Sequence, residues 1–227
     1  MTETVEYDIR FRHPCTILLC GGSKSGKTTW VRECLRNANV MFTTPPTHVL
    51  YYYAAWQELY DSMKYENLVH EWRNECPQKE YIQQLGDEHK EKGGGLLVII
   101  DDMLTQMNKD MADLFQVVSH HSKASVIFLS QSLFMDNKNF REMKGSTNYV
   151  VLFKNTSDKQ QVKTFLSRVS DNPKALLKVY QKVTRKPYTY LLIDQHQETP
   201  DEVRIRTRIF PSDYDKGTIQ VFIPPLV

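Results

Sequence analysis

TILLCGGSKSGKTT, Thr16 to Thr29, joins a short apolar run to a glycine-rich loop and then to Lys27 and Thr28 at the start of a helical pattern. Gly21, Gly26, Lys27 and Thr28 fit the spacing G-x-x-x-x-G-K-[ST], and each position has a mechanical reason. Gly21 and Gly26 let the backbone turn where a Cβ would clash, so the loop Gly21-Gly22-Ser23-Lys24-Ser25-Gly26 can aim its N–H groups at phosphate oxygens. Lys27 brings a point charge to the β- and γ-phosphates. The Thr28 hydroxyl is a hard oxygen ligand for Mg²⁺, and Thr29 continues a helix whose positive end faces the anion. Thr16 to Cys20 has the composition of a buried strand, while Val31, Cys34, Leu35 and Ala38 form an apolar stripe at helical spacing. Strand, loop and helix in this order predict a site for the phosphates of a nucleoside triphosphate with Mg²⁺.

Outward from that loop, a chain of 227 residues has the length of one α/β domain, with a core over about 14–194 and a C-terminal strand and tail over 195–227. The start MTETVEYDIR lacks the apolar centre of a signal peptide, and no apolar run approaches the ~20 residues that span a bilayer. An intracellular protein without membrane contact is expected. Cys15, Cys20, Cys34 and Cys76 contain no C-x-x-C pair, which predicts reduced, mostly buried thiols rather than a zinc site or a disulfide framework. The net charge of +2 is too small to announce a nucleic-acid binder. Residues 151–227, however, hold 13 Lys/Arg against 8 Asp/Glu, while residues 1–150 hold 16 against 19. A DNA contact would draw on the back third.

Leu96 to Ile100 is a continuous apolar run that stops at Asp101-Asp102, as a strand buried on both faces ends at the carboxyl edge of a parallel sheet. Adjacent carboxylates there suit the metal and water site of a P-loop ATPase: Asp101 holding Mg²⁺, Asp102 orienting or deprotonating the attacking water. The same pair would also serve as a helix N-cap before Met103. Ser125 to Leu129 is a further buried strand ending at Ser130-Gln131. If it lies beside the loop strand and the acidic strand, Gln131 can donate to a γ-phosphate oxygen and accept from the water; a solvated strand end fits equally.

The remaining elements follow from local pattern. Tyr7 to Arg12 reads as a lead-in strand, His48 to Tyr53 as the second core strand, and Ala54 to Met63 as a helix burying Trp56, Leu59, Tyr60 and Met63. Within 64–95 the pattern predicts a strand near Leu68 to His70, a short helix around Tyr81 to Leu85 and a glycine hinge at Gly93-Gly94-Gly95. Met107, Met111, Leu114, Phe115 and Val118 make one helical stripe that ends at His120-His121, and Asn137 to Ser146 reads as a basic connector carrying Arg141. Tyr149 to Phe153 is a strand, helices follow around Val162 to Val169 and from Pro173, and Tyr188 to Ile193 is another strand. Val203 to Phe210 alternates, placing Arg204, Arg206 and Arg208 on one face. That face is either a charged edge or a phosphate-tracking stripe for nucleic acid. The apolar tail from Ile219 to Val227 would dock on its own domain or on a neighbour.

Order and spacing of HPCTILLCGGSKSGKTT, YYAAWQELYD, LLVIIDDM, SHHSKASVIFLSQSLF, YVVLFKN, KPYTYLLID and TPDEVRIRTRIFP make the chain resemble the FtsK/HerA-type DNA-packaging ATPases, most of all those of Maverick/Polinton elements and adinto-like viruses. The resemblance implies a three-layer, RecA-like P-loop NTPase fold with a mainly parallel sheet and helices on both faces. It also implies a homo-oligomeric ring that moves double-stranded DNA into a capsid through a capsid or portal partner, in the host nucleus or at the viral assembly site. By position it makes Lys27 and Thr28 the Walker A pair, Asp101 and Asp102 the Walker B pair and Gln131 the sensor. Arg141 becomes a candidate arginine finger acting on a neighbour's ATP, with Arg168 and Arg185 behind it. A surface arginine in a loop is the alternative for Arg141. A nucleotide-gated binding scaffold without turnover is the rival function, and an Asp101-Asp102 pair with Gln131 speaks against it, since such a scaffold needs no water-positioning groups.

Overall fold

Alternation along the first core strand sends Ile17 and Leu19 to one face and Leu18 and Cys20 to the other, so the strand requires a covering layer on both sides. The computed structural model, which describes residues 6–118, 121, 123–211 and 220–222, has both layers. Among the described residues nine strands form one sheet: Thr16–Cys20 (β1), Pro46–Tyr53 (β2), Glu71–Arg73 (β3), Gly95–Asp101 (β4), Ala124–Ser130 (β5), Tyr149–Phe153 (β6), Tyr190–Asp194 (β7), Ile205–Thr207 (β8) and Gln220–Val221 (β9). Their spatial order is β3-β2-β4-β5-β1-β6-β7-β8-β9. Pairing is parallel from β3 through β6 and antiparallel from β7 onward.

Helices Lys27–Arg36 (α1), Ala38–Met41 (α2) and Glu58–Tyr65 (α3) lie on one face, where Trp30, Val31 and Tyr60 pack on Ile17, Leu19, Ile99 and Ile127. The opposite face is covered by Lys79–Glu91 (α4), Lys109–Asp113 (α5) and Lys138–Gly145 (α6), whose Ile82, Met111 and Phe140 meet Leu18, Val98 and Phe128. Lys159–Val169 (α7) and Pro173–Val183 (α8) extend that second layer over Val150, Leu152 and Leu191. The result is the three-layer, mainly parallel P-loop NTPase architecture that the resemblance implied.

Several local expectations are corrected. Tyr7 to Arg12 forms no strand: its β-pairing is a single bridge, Phe11 to Phe42, and it is also held by the Phe11 ring against Trp30 and Tyr149 and by the Ile9 carbonyl accepting from Arg206. The helix expected from Ala54 begins only at Glu58, leaving Trp56 43% exposed in the connection, where its ring leans on Tyr53, Tyr60 and Trp72. The strand near Leu68 sits at Glu71–Arg73, and the short helix at Tyr81 is the 13-residue α4. The stripe from Met107 is not one helix: Met107 follows a 3₁₀ turn Leu104–Gln106, Met111 lies on α5, and Leu114, Phe115 and Val118 lie on a π-helical segment Leu114–Val118. The side chain of Val118, and His120, lie outside the described residues. Asn137 to Ser146 is a helix, α6, and not a connector. Asn137 caps it by accepting from the Phe140 N–H, and Phe140 and Met143 supply a buried face too short for periodicity to register.

Candidate nucleotide site

At the carboxyl edge of β1 the phosphate loop floors a cleft of about 500 Å³. Ser23, Lys24, Ser25, Gly26, Lys27, Thr28 and Thr29 line it from one side, with Asp101, Asp102 and Gln131 opposite. Gly21 and Gly22 lie behind the lining. A Cβ on Gly21 would stand 2.6 Å from Phe153 Cβ, and Gly26 holds φ at +106° against the Tyr188 ring, so both turns require glycine. The Lys27 ammonium donates to the Gly21 and Gly22 carbonyls at 2.8 and 3.0 Å. Burial pulls the Lys27 pKa down while the Asp101 charge opposes the shift. Among the described residues Ser25 Oγ is buried without a hydrogen-bond partner, an orphan that a phosphate oxygen would satisfy.

Sheet order brings the chain-distant groups together. β5 lies between β1 and β4, so Asp101 at the end of β4 and Gln131 just past β5 meet the loop on one edge. Asp101 is 3% exposed, and its Oδ2 accepts from Thr28 Oγ1 at 3.2 Å, Tyr51 OH at 2.8 Å and Tyr60 OH at 2.9 Å. Burial raises its pKa, and the three hydrogen bonds and the Lys27 charge hold the rise in check. Asp102 takes the left-handed conformation, φ +58°, which turns its carboxylate outward to accept from Gln131 Nε2 at 3.3 Å. Lys24 and Tyr188 are also left-handed. Three of the six non-glycine residues with positive φ among the described residues thus border this cleft. Thr28 and Asp101 form a hard-oxygen donor set that suits Mg²⁺.

Tyr51, Tyr60 and Tyr188 are site residues that pattern alone did not single out. Tyr51 stands beside Ile99 in the β2–β4 register, on the face it shares with Asp101, a relation visible only once β2 is known to adjoin β4. Tyr188, expected to open β7, instead precedes it and is 69% exposed beside Gly26. Its ring gives the cleft an exposed, flat apolar wall.

Other candidate residues lie elsewhere. Arg141 is exposed on α6, 3.8 Å from Asp136, and does not line the cleft. Arg168 lies over the Phe134 ring, and Arg185 lines a separate cleft. The shared basic face of Arg204, Arg206 and Arg208 does not exist. Asp201–Arg204 is a helical turn (α9), and Arg204 folds back to donate to the carbonyls of Asp194, His196 and Thr199. Arg206 is 2% exposed, paired with Asp194 at 2.8 Å and bonded to the Ile9 carbonyl. Only Arg208, at φ +54°, remains at the surface.

Residues 3–205 match the family model of the poxvirus A32 protein. No match is found among curated proteins. Among solved structures, the chain is similar to the genome packaging NTPase of Sulfolobus turreted icosahedral virus 2 in complex with ATP-gammaS: 15% identity, TM-score 0.57, 86% of this chain and 96% of that one. It is similar also to the cytoplasmic domain of the Type VII secretion ATPase EccC of Thermomonospora curvata: 12% identity, TM-score 0.57, 86% of this chain but 26% of that one. At these identities the likeness concerns the fold.

Proposed function

The chain belongs to the poxvirus A32 protein family, and from that premise we propose that it is a Mg²⁺-dependent ATPase that drives double-stranded viral or transposon DNA into a capsid. The observation that carries the proposal is the contact of Gln131 with Asp102 at the mouth of the phosphate cleft. A site that only held a nucleotide has no use for a carboxylate and an amide paired where water enters. Loop N–H groups and Lys27 hold the phosphates, Asp102 orients the attacking water and takes up its proton, and Gln131 bridges water and γ-phosphate. Thr28 and Asp101 would hold a Mg²⁺, which would supply neutralising charge to the phosphates. Positioning and charge suffice, because phosphoryl transfer asks for little covalent help.

Packaging as the use of the hydrolysis is supported by the structural relative that is a viral genome packaging NTPase. In a ring of identical subunits, Arg141, exposed on α6, would act as an arginine finger on the neighbour's ATP. Duplex DNA and a capsid or portal protein are the partners, the host nucleus or viral assembly site the place, and a Maverick/Polinton or adinto-like element the source.

ATP turnover by the purified protein, with and without duplex DNA, tests this. Lys27→Ala should abolish it, and Asp102→Asn should keep ATP binding while lowering turnover by about 100-fold or more. Absence of any turnover sensitive to Lys27→Ala would sink the proposal, and an assembly that Asp102→Asn leaves fully functional would favour a scaffold.

A further inference from the structure

A second cleft, of about 360 Å³, opens between the end of β6 and helices α7 and α8. Its rim carries Lys154, Lys159, Lys163 and Arg185. All four are exposed and no carboxylate lines the cleft. The nearest acid in sequence, Asp158, is occupied in capping α7 through the Gln161 N–H. Among the described residues none of the four makes an ion pair, nor do Lys174, Lys178 and Lys182 on α8, which do not line the cleft. Four like charges around one concavity repel each other and focus a positive potential there, an arrangement that an anion relieves.

The form of the cleft narrows the class of anion. A small phosphate is held by converging buried donors, but here the charges stand on the rim and the floor is Val162, Leu177 and Tyr180. Lys159 and Lys163 are one helical turn apart, so they project side by side from α7, with Lys154 at one end and Arg185 across the opening. A rim row of charges over an apolar floor matches an extended sugar-phosphate chain.

The walls also lead directly to the phosphate loop. Phe153, the residue before Lys154, packs so closely on Gly21 that no Cβ fits between them, and Arg185 lies three residues before Tyr188, which packs on Gly26. Tyr180 ties the walls together: its hydroxyl donates to the Phe153 carbonyl and accepts from the Asn155 N–H, both at 3.0 Å.

We propose that this cleft binds the phosphate backbone of duplex DNA and, through Phe153 and Tyr188, places it in contact with both ends of the phosphate loop. The proposal rests on the DNA-motor reading above and supplies its DNA-binding surface. The test is fluorescence anisotropy with a labelled duplex over a range of salt, without nucleotide, on the full chain carrying K154Q, K159Q and K163Q together. A control loses the same charge from α8 through K174Q, K178Q and K182Q.

The first variant should bind more weakly and lose about 2–3 units from the slope of log K against log salt, at roughly 0.9 per phosphate contact. The control should keep the wild-type slope. Turnover without DNA should be unchanged in both, and only the first should need more DNA for stimulation. Equal slopes in wild type and first variant, or equal losses in the two variants, would overturn the cleft while leaving the motor intact. Competition by millimolar inorganic phosphate would make it a small-anion site and overturn it too. A wild-type protein that hydrolyses ATP but ignores duplex DNA would remove the DNA reading itself.

Discussion

Asp101 takes three hydrogen bonds on one carboxylate oxygen, from Thr28, Tyr51 and Tyr60, and this crowding fixes where the carboxylate points. The phenols remain donors across the working range, because burial and the adjacent Asp101 charge push both their pKa values well above the ordinary tyrosine value. Tyr51 and Tyr60 pack at a tilt against each other and Trp72, and Trp56 meets Tyr60 edge-on, so the two phenol rings are themselves held in place. Partners that orient a metal-binding carboxylate matter by about 10–100-fold. Tyr51→Phe and Tyr60→Phe should therefore each lower ATP turnover by roughly that factor and raise the Mg²⁺ concentration needed for half-maximal rate. A Mg²⁺ titration of the rate checks it, and an unchanged midpoint would make the tyrosines packing residues only. The acids themselves were legible in sequence, because two carboxylates stop an apolar strand at Asp101-Asp102. Their tyrosine partners were not, because nothing in His48 to Tyr53, or in the helix that carries Tyr60, tells which strand will lie beside it.

At the scale of elements, the segment 203–210 shows how a correct period can yield the wrong face. Ile205, Arg206 and Thr207 do form a strand, but on an antiparallel extension where Asp194 of β7 and the Ile9 carbonyl enclose Arg206. Burial pulls the Arg206 pKa down while Asp194 pulls it up, and Asp194, which also bonds His196, is held below the usual carboxylate range. The pair is buried on both sides, 2% and 3% exposed, so removing one partner leaves an uncompensated charge. Arg206→Met should cost about 3–5 kcal/mol in urea unfolding. Adding Asp194→Asn to it should restore part of that loss. A surface DNA contact would change stability by no more than about 0.5 kcal/mol, so the measurement separates the two roles. α6 shows the converse: Asn137 and Gly145 read as loop punctuation, yet they bound a helix whose only buried apolar residues, Phe140 and Met143, complete the second layer.

At the scale of the whole molecule, the edge of the sheet away from the nucleotide cleft carries its own titratable group. His13, just before β1, is enclosed beside Gly95 and pairs through Nδ1 with Ser125 Oγ at 2.7 Å. Burial pushes its pKa down to about 4 from the ordinary 6.5, with the Lys123 charge adding to the shift and a backbone contact at Lys123 opposing it. The unfolded chain therefore binds the proton first as pH falls. The stability that neutral His13 contributes is complete above pH 6.5 and drains away between about 6.5 and 4, up to about 3 kcal/mol in all. Between pH 7 and pH 5, His13→Asn should lose less stability than wild type by about 2 kcal/mol, read as the difference in urea unfolding free energies. Equal losses would place the acid sensitivity elsewhere.

By itself the sequence determined what short-range chemistry can express: the phosphate loop at Gly21 to Thr28, the core strands, the acids at Asp101 and Asp102, and Gln131 at a strand end. Each is marked by a run of about five to fourteen residues whose composition is self-sufficient. Only the tertiary structure decided which strands are neighbours, and with that the rest. It put β5 between β1 and β4, brought Tyr51 and Tyr60 onto Asp101, enclosed Arg206 against Asp194, and gathered Lys154, Lys163 and Arg185 around one cleft. Periodicity says that a face is buried, but what buries it comes from elements far along the chain. The same alternation therefore left Arg206 free to be read as solvent-facing until the fold covered it.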